Sequence, residues 1–314
     1  NIYIGYQCAG VGAHEGASQS NTVIGTNALN GVMNGASTNT GIGFNVFKAL
    51  TQGDNNNALG AYSLDGLTTG SKNVAVGNAA GGSLLGGNEN VVIGNEAMDA
   101  MAGDSDTDTV NNGHRNIAIG RDAMGAVNAG SHNTATTNDN IAIGNDALLG
   151  ASFGSSDLDL VGNIAIGSQA LDATDDNAHT GTIAIGHEAL TALTSGSGNT
   201  AIGYNAGLAM TTGTNCTIVG NRAFESASGD EDENTIIGNS AGREIVNDNA
   251  DSNVLIGNYA GLGGSGALKE CIAIGVYALD ATDDQDVTGS IAIGHSSLTA
   301  LTSGAGNTAI GYNA

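Results

Sequence analysis

A parallel β-solenoid is the fold class this sequence predicts, and three observations carry the prediction. First, the string Asn-x-Ala-Ile-Gly-x-x-Ala-Leu recurs through all 314 residues, in 17 copies whose glycines run from Gly5 to Gly311. Second, the spacing is 17 to 26 residues, mostly 17 to 19. A unit that short cannot bury a core alone and must stack on its neighbours. Third, the residues one and three before the glycine are mostly Ile, Val or Thr, which is the period-two, β-branched pattern of a short strand. The expectation is an all-β rod, a single continuous array over residues 1–314 with about 17 short coils.

Each position of the coil then has a reason. The residue just before the glycine is aliphatic in all 17 copies, among them Ile119, Ile143, Ile166, Ile185, Ile202, Ile274 and Ile293, and is expected to be the inward knob of the core. The glycine permits a backbone conformation, or a close approach of packed chains, that a Cβ would forbid. Three residues on, 13 of 17 copies have Ala, followed by Leu, Met, Phe or Gly. This pair predicts a second, tightly packed inner strand, with the remaining residues as an outer return loop. Four residues before the glycine, 13 of 17 copies have Asn, including Asn73, Asn90, Asn116, Asn140, Asn163 and Asn199. Stacked coils would bring these amides about 4.8 Å apart as a hydrogen-bonded ladder. The exceptions, Thr182, Cys216, Cys271 and Ser290, are all small.

Composition narrows the function. With 31 acidic and 7 basic residues, a formal charge of -24 leaves little with which to hold phosphates, so nucleic acid is not an expected partner. No apolar run approaches the roughly 20 residues of a membrane span, so membrane insertion is not expected in this segment. Three cysteines, all in small-residue slots, offer no disulfide framework. Both ends fall inside a repeat, and the chain is taken as a segment of a longer protein. A coil with so little apolar bulk is short of core, and three chains burying their Ala-Leu strands around an axis would supply it, so a homotrimer is expected.

Asn199-Thr200-Ala201-Ile202-Gly203-Tyr204-Asn205-Ala206 and Asn140-Ile141-Ala142-Ile143-Gly144-Asn145-Asp146-Ala147-Leu148 resemble the head repeats of trimeric autotransporter adhesins of the YadA type. They are still more similar to the longer-looped versions in phage tail fibres and in bacterial surface fibres. The resemblance covers essentially the whole chain. It implies a left-handed, intertwined trimeric β-roll, extracellular on a cell surface or virion, that attaches to a host or cell-surface receptor such as a glycan. The excess length gathers in loops around residues 99–115, 125–139 and 149–162. Residues 164–206 recur at 272–314 with 34 of 43 positions identical, a block duplication at an offset of 108 residues, or six coils, that suits a shaft or spacer.

Other chemistry is sparse. Asp104-Ser105-Asp106-Thr107-Asp108 opens like a calcium loop but lacks its glycine and ends on Arg115. Asp172, Asp175 and Asp176, their duplicates Asp280, Asp283 and Asp284, and the run Asp230–Glu233 are the candidate calcium ligands, and calcium is the one cofactor considered. His187 and His295 follow the repeat glycine and belong to no zinc motif. No nucleophile elbow or catalytic triad is present, and the Thr rows alternate with Ile and Val rather than forming the regular Thr-x-Thr of an ice-binding face. No enzymatic activity is expected. The sequence thus predicts a structural and adhesive segment of an extracellular fibre, with a purely structural spacer for a separate tip domain as the alternative.

Overall fold

The computed structural model describes residues 1–9, 18–101, 113–127, 136–150, 159–174, 179–247, 249–266, 268–280 and 286–314. Every regular element among them is a β-strand, and the chain is an all-β parallel solenoid. The described residues divide into two compact units, the first Asn1–Asn163 and the second Ile164–Thr174 with residues 179–314.

Unit 1 holds three-residue strands β1 (Ile2–Ile4), β2 (Thr22–Ile24), β3 (Thr40–Ile42), β4 (Asn57–Leu59), β5 (Val74–Val76), β6 (Val91–Ile93), β7 (Ile117–Ile119) and β9 (Ile141–Ile143). Each pairs in parallel with the next, one coil on, so that like positions stand in register: Ile93 on Ile119, Ile119 on Ile143. Two-residue strands β8 (Thr137–Asn138) and β10 (Leu160–Val161) pair likewise.

Unit 2 begins with β11 (Ile164–Ile166) and the short β12 (His179–Thr180). It continues with β13 (Ile183–Ile185), β14 (Thr200–Ile202), β15 (Thr217–Val219), β16 (Thr235–Ile237), β17 (Val254–Ile256), β18 (Ile272–Ile274), β19 (Ile291–Ile293) and β20 (Thr308–Ile310). From β11 through β13 to β20 the same in-register parallel pairing repeats.

The strand faces are the reverse of the sequence expectation. The middle residue of each triplet points inward: Val23, Ala75, Val92, Ala118, Ala142, Ala165, Ala184, Ala201, Ile218, Ile236 and Leu255 are fully buried. The aliphatic residue before the glycine, expected as the inward knob, lies on the opposite face. Ile119, Ile143, Ile166, Ile185, Ile274 and Ile293 are partly exposed and Ile202 is 39% exposed. Alternation in a strand puts the two flanking residues on one face and the middle one on the other. Hydrophobicity alone named the wrong face.

The Ala-Leu segment is a turn, not a second strand. Two and four residues after the repeat glycine the backbone is left-handed, as at Asn27 (φ 54°) and Leu29 (φ 51°), or Tyr62 (φ 58°) and Leu64 (φ 49°). Such a conformation costs a non-glycine residue ~1–2 kcal/mol. Inter-coil bonds offset it: Tyr62 N–H donates to Phe44 O at 2.8 Å in the coil before, and Leu64 N–H to Ala80 O at 3.1 Å in the coil after. The turn carries its Ala and Leu inward, where Ala28, Leu29, Ala97, Met98, Ala189 and Leu190 are fully buried within the single chain. A further buried file follows seven residues after the glycine, at Leu50, Leu67, Leu84, Met101 and Leu193.

Volumes in this interior compensate locally. Gly41 takes the inward strand position beside the Phe47 ring, and a Cβ there would stand 2.7 Å from Phe47 Cδ2. In the coil of Leu255 the turn supplies Gly261, where a Cβ would meet Leu255 Cδ2 at 2.6 Å. Close packing leaves room for one large side chain, not two.

Candidate functional site

Three lines of residues run along the stacked coils, and two of them stand out in the sequence. The repeat glycines hold φ between 132° and 157°, and a Cβ on one would clash with the carbonyl oxygen of the next glycine, as Gly94 with Gly120 and Gly220 with Gly238. The coils approach closely on that line because it has no side chains.

The asparagine line is buried. In unit 1 it runs through Asn21, Asn39, Asn56, Asn73, Asn90, Asn116, Asn140 and Asn163. Asn73 Oδ1 accepts from the backbone N–H and from Nδ2 of Asn90, both at 3.0 Å, while Asn73 Nδ2 donates to Asn56 Oδ1 at 3.0 Å and to Gly87 O at 2.8 Å. The backbone N–H of Asn116 continues the line to Asn90 Oδ1 at 2.9 Å, and Asn140 and Asn163 add the same two-donor contact at 3.0 and 3.1 Å. In unit 2, Asn199 Oδ1 accepts from Cys216 N–H at 2.9 Å.

A second polar line, six residues before the glycine, was not anticipated. It runs in the opposite sense. Ser37 N–H donates to Asp54 Oδ1 (2.6 Å), Asp54 N–H to Ser71 Oγ (2.9 Å), Ser71 N–H to Asn88 Oδ1 (2.7 Å), Asn88 N–H to His114 Nδ1 (3.1 Å) and His114 N–H to Asn138 Oδ1 (2.7 Å). In unit 2, Thr214 donates to Asp232 in the same way, at 2.6 Å. The only sequence signal is a run of small polar residues at fixed distance from the glycine, and its mixed composition hides it. Beside it, exposed Lys72 and Glu89 pair at 2.8 Å, and Arg115 and Asp139 at 2.6 Å.

Among the described residues the acidic candidates do not converge. Asp172 is half-buried, and so is Asp280, whose carboxyl is raised above its usual range by burial and then by Glu244. Asp175, Asp176, Asp283 and Asp284, and Asp104 to Asp108, lie outside the described residues. Glu231 is fully buried and its carboxylate accepts from the Ser228 and Gly229 N–H groups, so this part of the acidic run closes a turn. Among the described residues no group of three or more His, Cys, Asp or Glu could hold a metal ion.

One acidic pair does converge, and sequence reasoning missed it. Asp65 and Asp99 flank Gly82 on a surface cavity of about 590 Å³ also lined by Tyr62, Ser83 and Leu85. A Cβ on Gly82 would fall against Asp99 Oδ1 and 3.4 Å from Asp65 Oδ1. Burial raises both carboxyls; Lys48 opposes this at Asp65 and Asp99 adds to it, while Glu96 and Asp122 add to it at Asp99.

The outward strand face is a long and mostly apolar surface. In unit 1 it carries Ile24, Ile42, Leu59, Val76, Ile93, Ile119 and Ile143 in one line, with Thr22, Thr40, Asn57, Val74, Val91, Ile117 and Ile141 in the line beside it. Ile42 is 44% exposed and Leu59 51%. A shallow apolar notch of about 210 Å³ opens between Ile42, Leu59 and Val76, where Asn57 interrupts the second line. Unit 2 repeats the pattern from Ile166 to Ile293, partnered by Ile164, Ile183, Thr200, Thr217, Thr235, Val254, Ile272 and Ile291. Just past the glycine, His187 stacks on Tyr204 (ring centres 5.3 Å apart) and His295 on Tyr312 (5.2 Å), so these rings spend faces on each other. Contiguous apolar faces on this scale are sites of association.

Compared with known proteins, this chain matches no family model, no curated protein and no solved structure. No helix among the described residues is long and apolar enough to cross a membrane.

Proposed function

We propose that this chain is the structural and adhesive segment of an extracellular homotrimeric fibre, a surface adhesin or tail fibre that attaches to a cell or host surface. The observation that carries the reading is the outward line of Ile, Leu and Val before the repeat glycines, left partly exposed while turn residues such as Ala28, Leu29, Ala97, Met98, Ala189 and Leu190 are already covered. Three copies packed on this face would place Ile119, Ile143 and their equivalents in a core shared between chains.

Magnitudes favour a long array. Covering the exposed part of one such side chain stabilises by ~1 kcal/mol, against ~4–15 kcal/mol lost on association. One coil cannot hold a partner, but the eight in-register strands of unit 1 reach the size required. Light scattering tests the reading: a mass near three times 30.8 kDa is expected, and conversion to monomer by Ile119→Asp with Ile143→Asp. A wild-type monomer overturns it.

The block repeated at 164–206 and 272–314 favours a second reading, a spacer that positions a separate tip. Attachment that survives deletion of the loops supports the spacer, and attachment lost with one loop supports the adhesin.

A further inference from the structure

We propose that His114 is an acid-sensitive rung that locks the coil of β6 to the coil of β7 at neutral pH and releases it when the imidazole takes a proton. The geometry sets the requirement. His114 Nδ1 faces the backbone N–H of Asn88 at 3.1 Å and the Asn88 side-chain amide at 3.1 Å. The backbone N–H can only donate, so Nδ1 must accept, which places the ring proton on Nε2 and leaves the imidazole neutral. A second proton has nowhere to go but Nδ1, where it would point into the Asn88 N–H. The acceptor is lost and two donors are left face to face.

The other rungs of the same line do not share this weakness. Ser71, Asn88 and Asn138 accept through a hydroxyl or an amide oxygen, which stays an acceptor across the physiological range. At Asp54, which accepts from Ser37, the acceptor is a carboxylate oxygen. Histidine alone titrates near neutrality.

The surroundings hold the ring neutral. His114 is buried and its own N–H is fixed on Asn138 Oδ1 at 2.7 Å. The charged groups about it are Arg115 on its own strand approach, Glu89 from the preceding coil and Asp139 from the following one. Glu89 is engaged by Lys72 and Asp139 by Arg115, so both carboxylates that would favour an imidazolium are already paired. Burial, then Arg115, lowers the imidazole below its ordinary value, with Glu89 and Asp139 opposing. As pH falls below about 6.5 the unfolded or opened chain takes up the proton first, and that uptake pulls the rung open.

Hydrogen exchange on the full chain, followed by mass spectrometry at pH 7.5 and 5.0 and corrected for intrinsic rates, tests this. The peptide carrying Asn88 should lose protection several-fold at pH 5.0, as expected for the loss of one buried hydrogen bond. The peptide carrying the Asp54 N–H, held by Ser71, should not. His114→Asn supplies the acceptor used at the neighbouring rungs and should remove the pH response while keeping protection at pH 7.5. A response of equal size at Asp54, no response at Asn88, or a response that persists in H114N overturns the proposal. His187→Asn, at an exposed stacked ring, should leave the Asn88 response unchanged, and its loss in H187N would also overturn it.

Discussion

Unit 1 and unit 2 use the same coil but complete its buried polar line differently. In unit 1 every rung from Asn21 to Asn163 is asparagine, whereas unit 2 substitutes Thr182, Cys216, Cys271 and Ser290. What a rung receives does not depend on its side chain: Cys216 N–H reaches Asn199 Oδ1 at 2.9 Å, and Cys271 N–H reaches Asn253 Oδ1 at 2.9 Å. What it passes on does. The Cys216 thiol donates to Glu231 O at 3.1 Å, in place of an amide Nδ2, but offers the next amide, Asn234 Nδ2, only sulfur at 3.9 Å. The lesson is that the stack tolerates a rung that ends a chain of bonds, provided the next asparagine restarts it, as Asn234 does with Asn253 at 3.0 Å. Burial drives the Cys216 thiol up to about 11, which keeps it protonated and unreactive.

The largest expected effect ignores this difference. Gly94→Ala in unit 1 and Gly220→Ala in unit 2 each drive a Cβ into the next glycine carbonyl at a φ near 148°. Each should cost ~3–5 kcal/mol, and denaturant midpoints should fall alike. Unequal losses would mean that the units differ in more than their polar line.

Next in size, Asn73→Ala should cost ~2–4 kcal/mol, because it strips the acceptor from the Asn90 N–H and Nδ2 and the donor from Gly87 O inside a dry core. Asn73→Cys should cost less, since it imitates a rung that unit 2 accepts. Cys216→Asn should run the other way, stabilising unit 2 by ~1 kcal/mol by giving Asn234 a carbonyl acceptor. Thermal melts rank the three. A destabilising C216N would show that the thiol's fit outweighs the missing bond.

How much of this was legible in the sequence depends on how narrowly each position is constrained. The glycine and asparagine lines stood out because only one residue type lacks a Cβ and few carry a donor and an acceptor on one short arm. The direction of Ile119 or Ile202 was not legible from aliphatic character, since either face of a three-residue strand can be covered, one by the coil and one by another chain. The signal was in the adjoining line, where Thr22, Thr40, Asn57, Thr200, Thr217 and Thr235 share a face with those isoleucines and mark it as outward. The turn at Leu29 and Leu64 was misread as strand because left-handed leucine is intrinsically disfavoured and is held only by bonds to other coils. Asp65 and Asp99 are 34 residues apart, and nothing short of the coil lengths between them reveals that they meet.

The smallest effect separates the units by pH. Asp65 and Asp99 in unit 1 and Asp280 in unit 2 have carboxyls raised by burial above their ordinary value of 3.8. A raised carboxyl contributes stability that is fully present below pH 3.8 and is lost as pH rises through its folded value, so these groups favour the fold in mild acid. His114 in unit 1 acts in the opposite direction, as its lowered imidazole contributes stability that is full above about pH 6.5 and fades below it. Unit 1 therefore carries opposing terms and unit 2 has the acid-favoured one at Asp280. All three carboxyls are partly open to solvent, which keeps the effect to a few degrees in midpoint temperature. Asp280→Asn should flatten the gain that unit 2 shows between pH 7 and 4.5, and Asp65→Asn combined with Asp99→Asn should reduce the acid-favoured contribution of unit 1, measured as exchange protection in each unit. If these variants keep the wild-type profile, the carboxyls are too well hydrated for their burial to matter to the pH response.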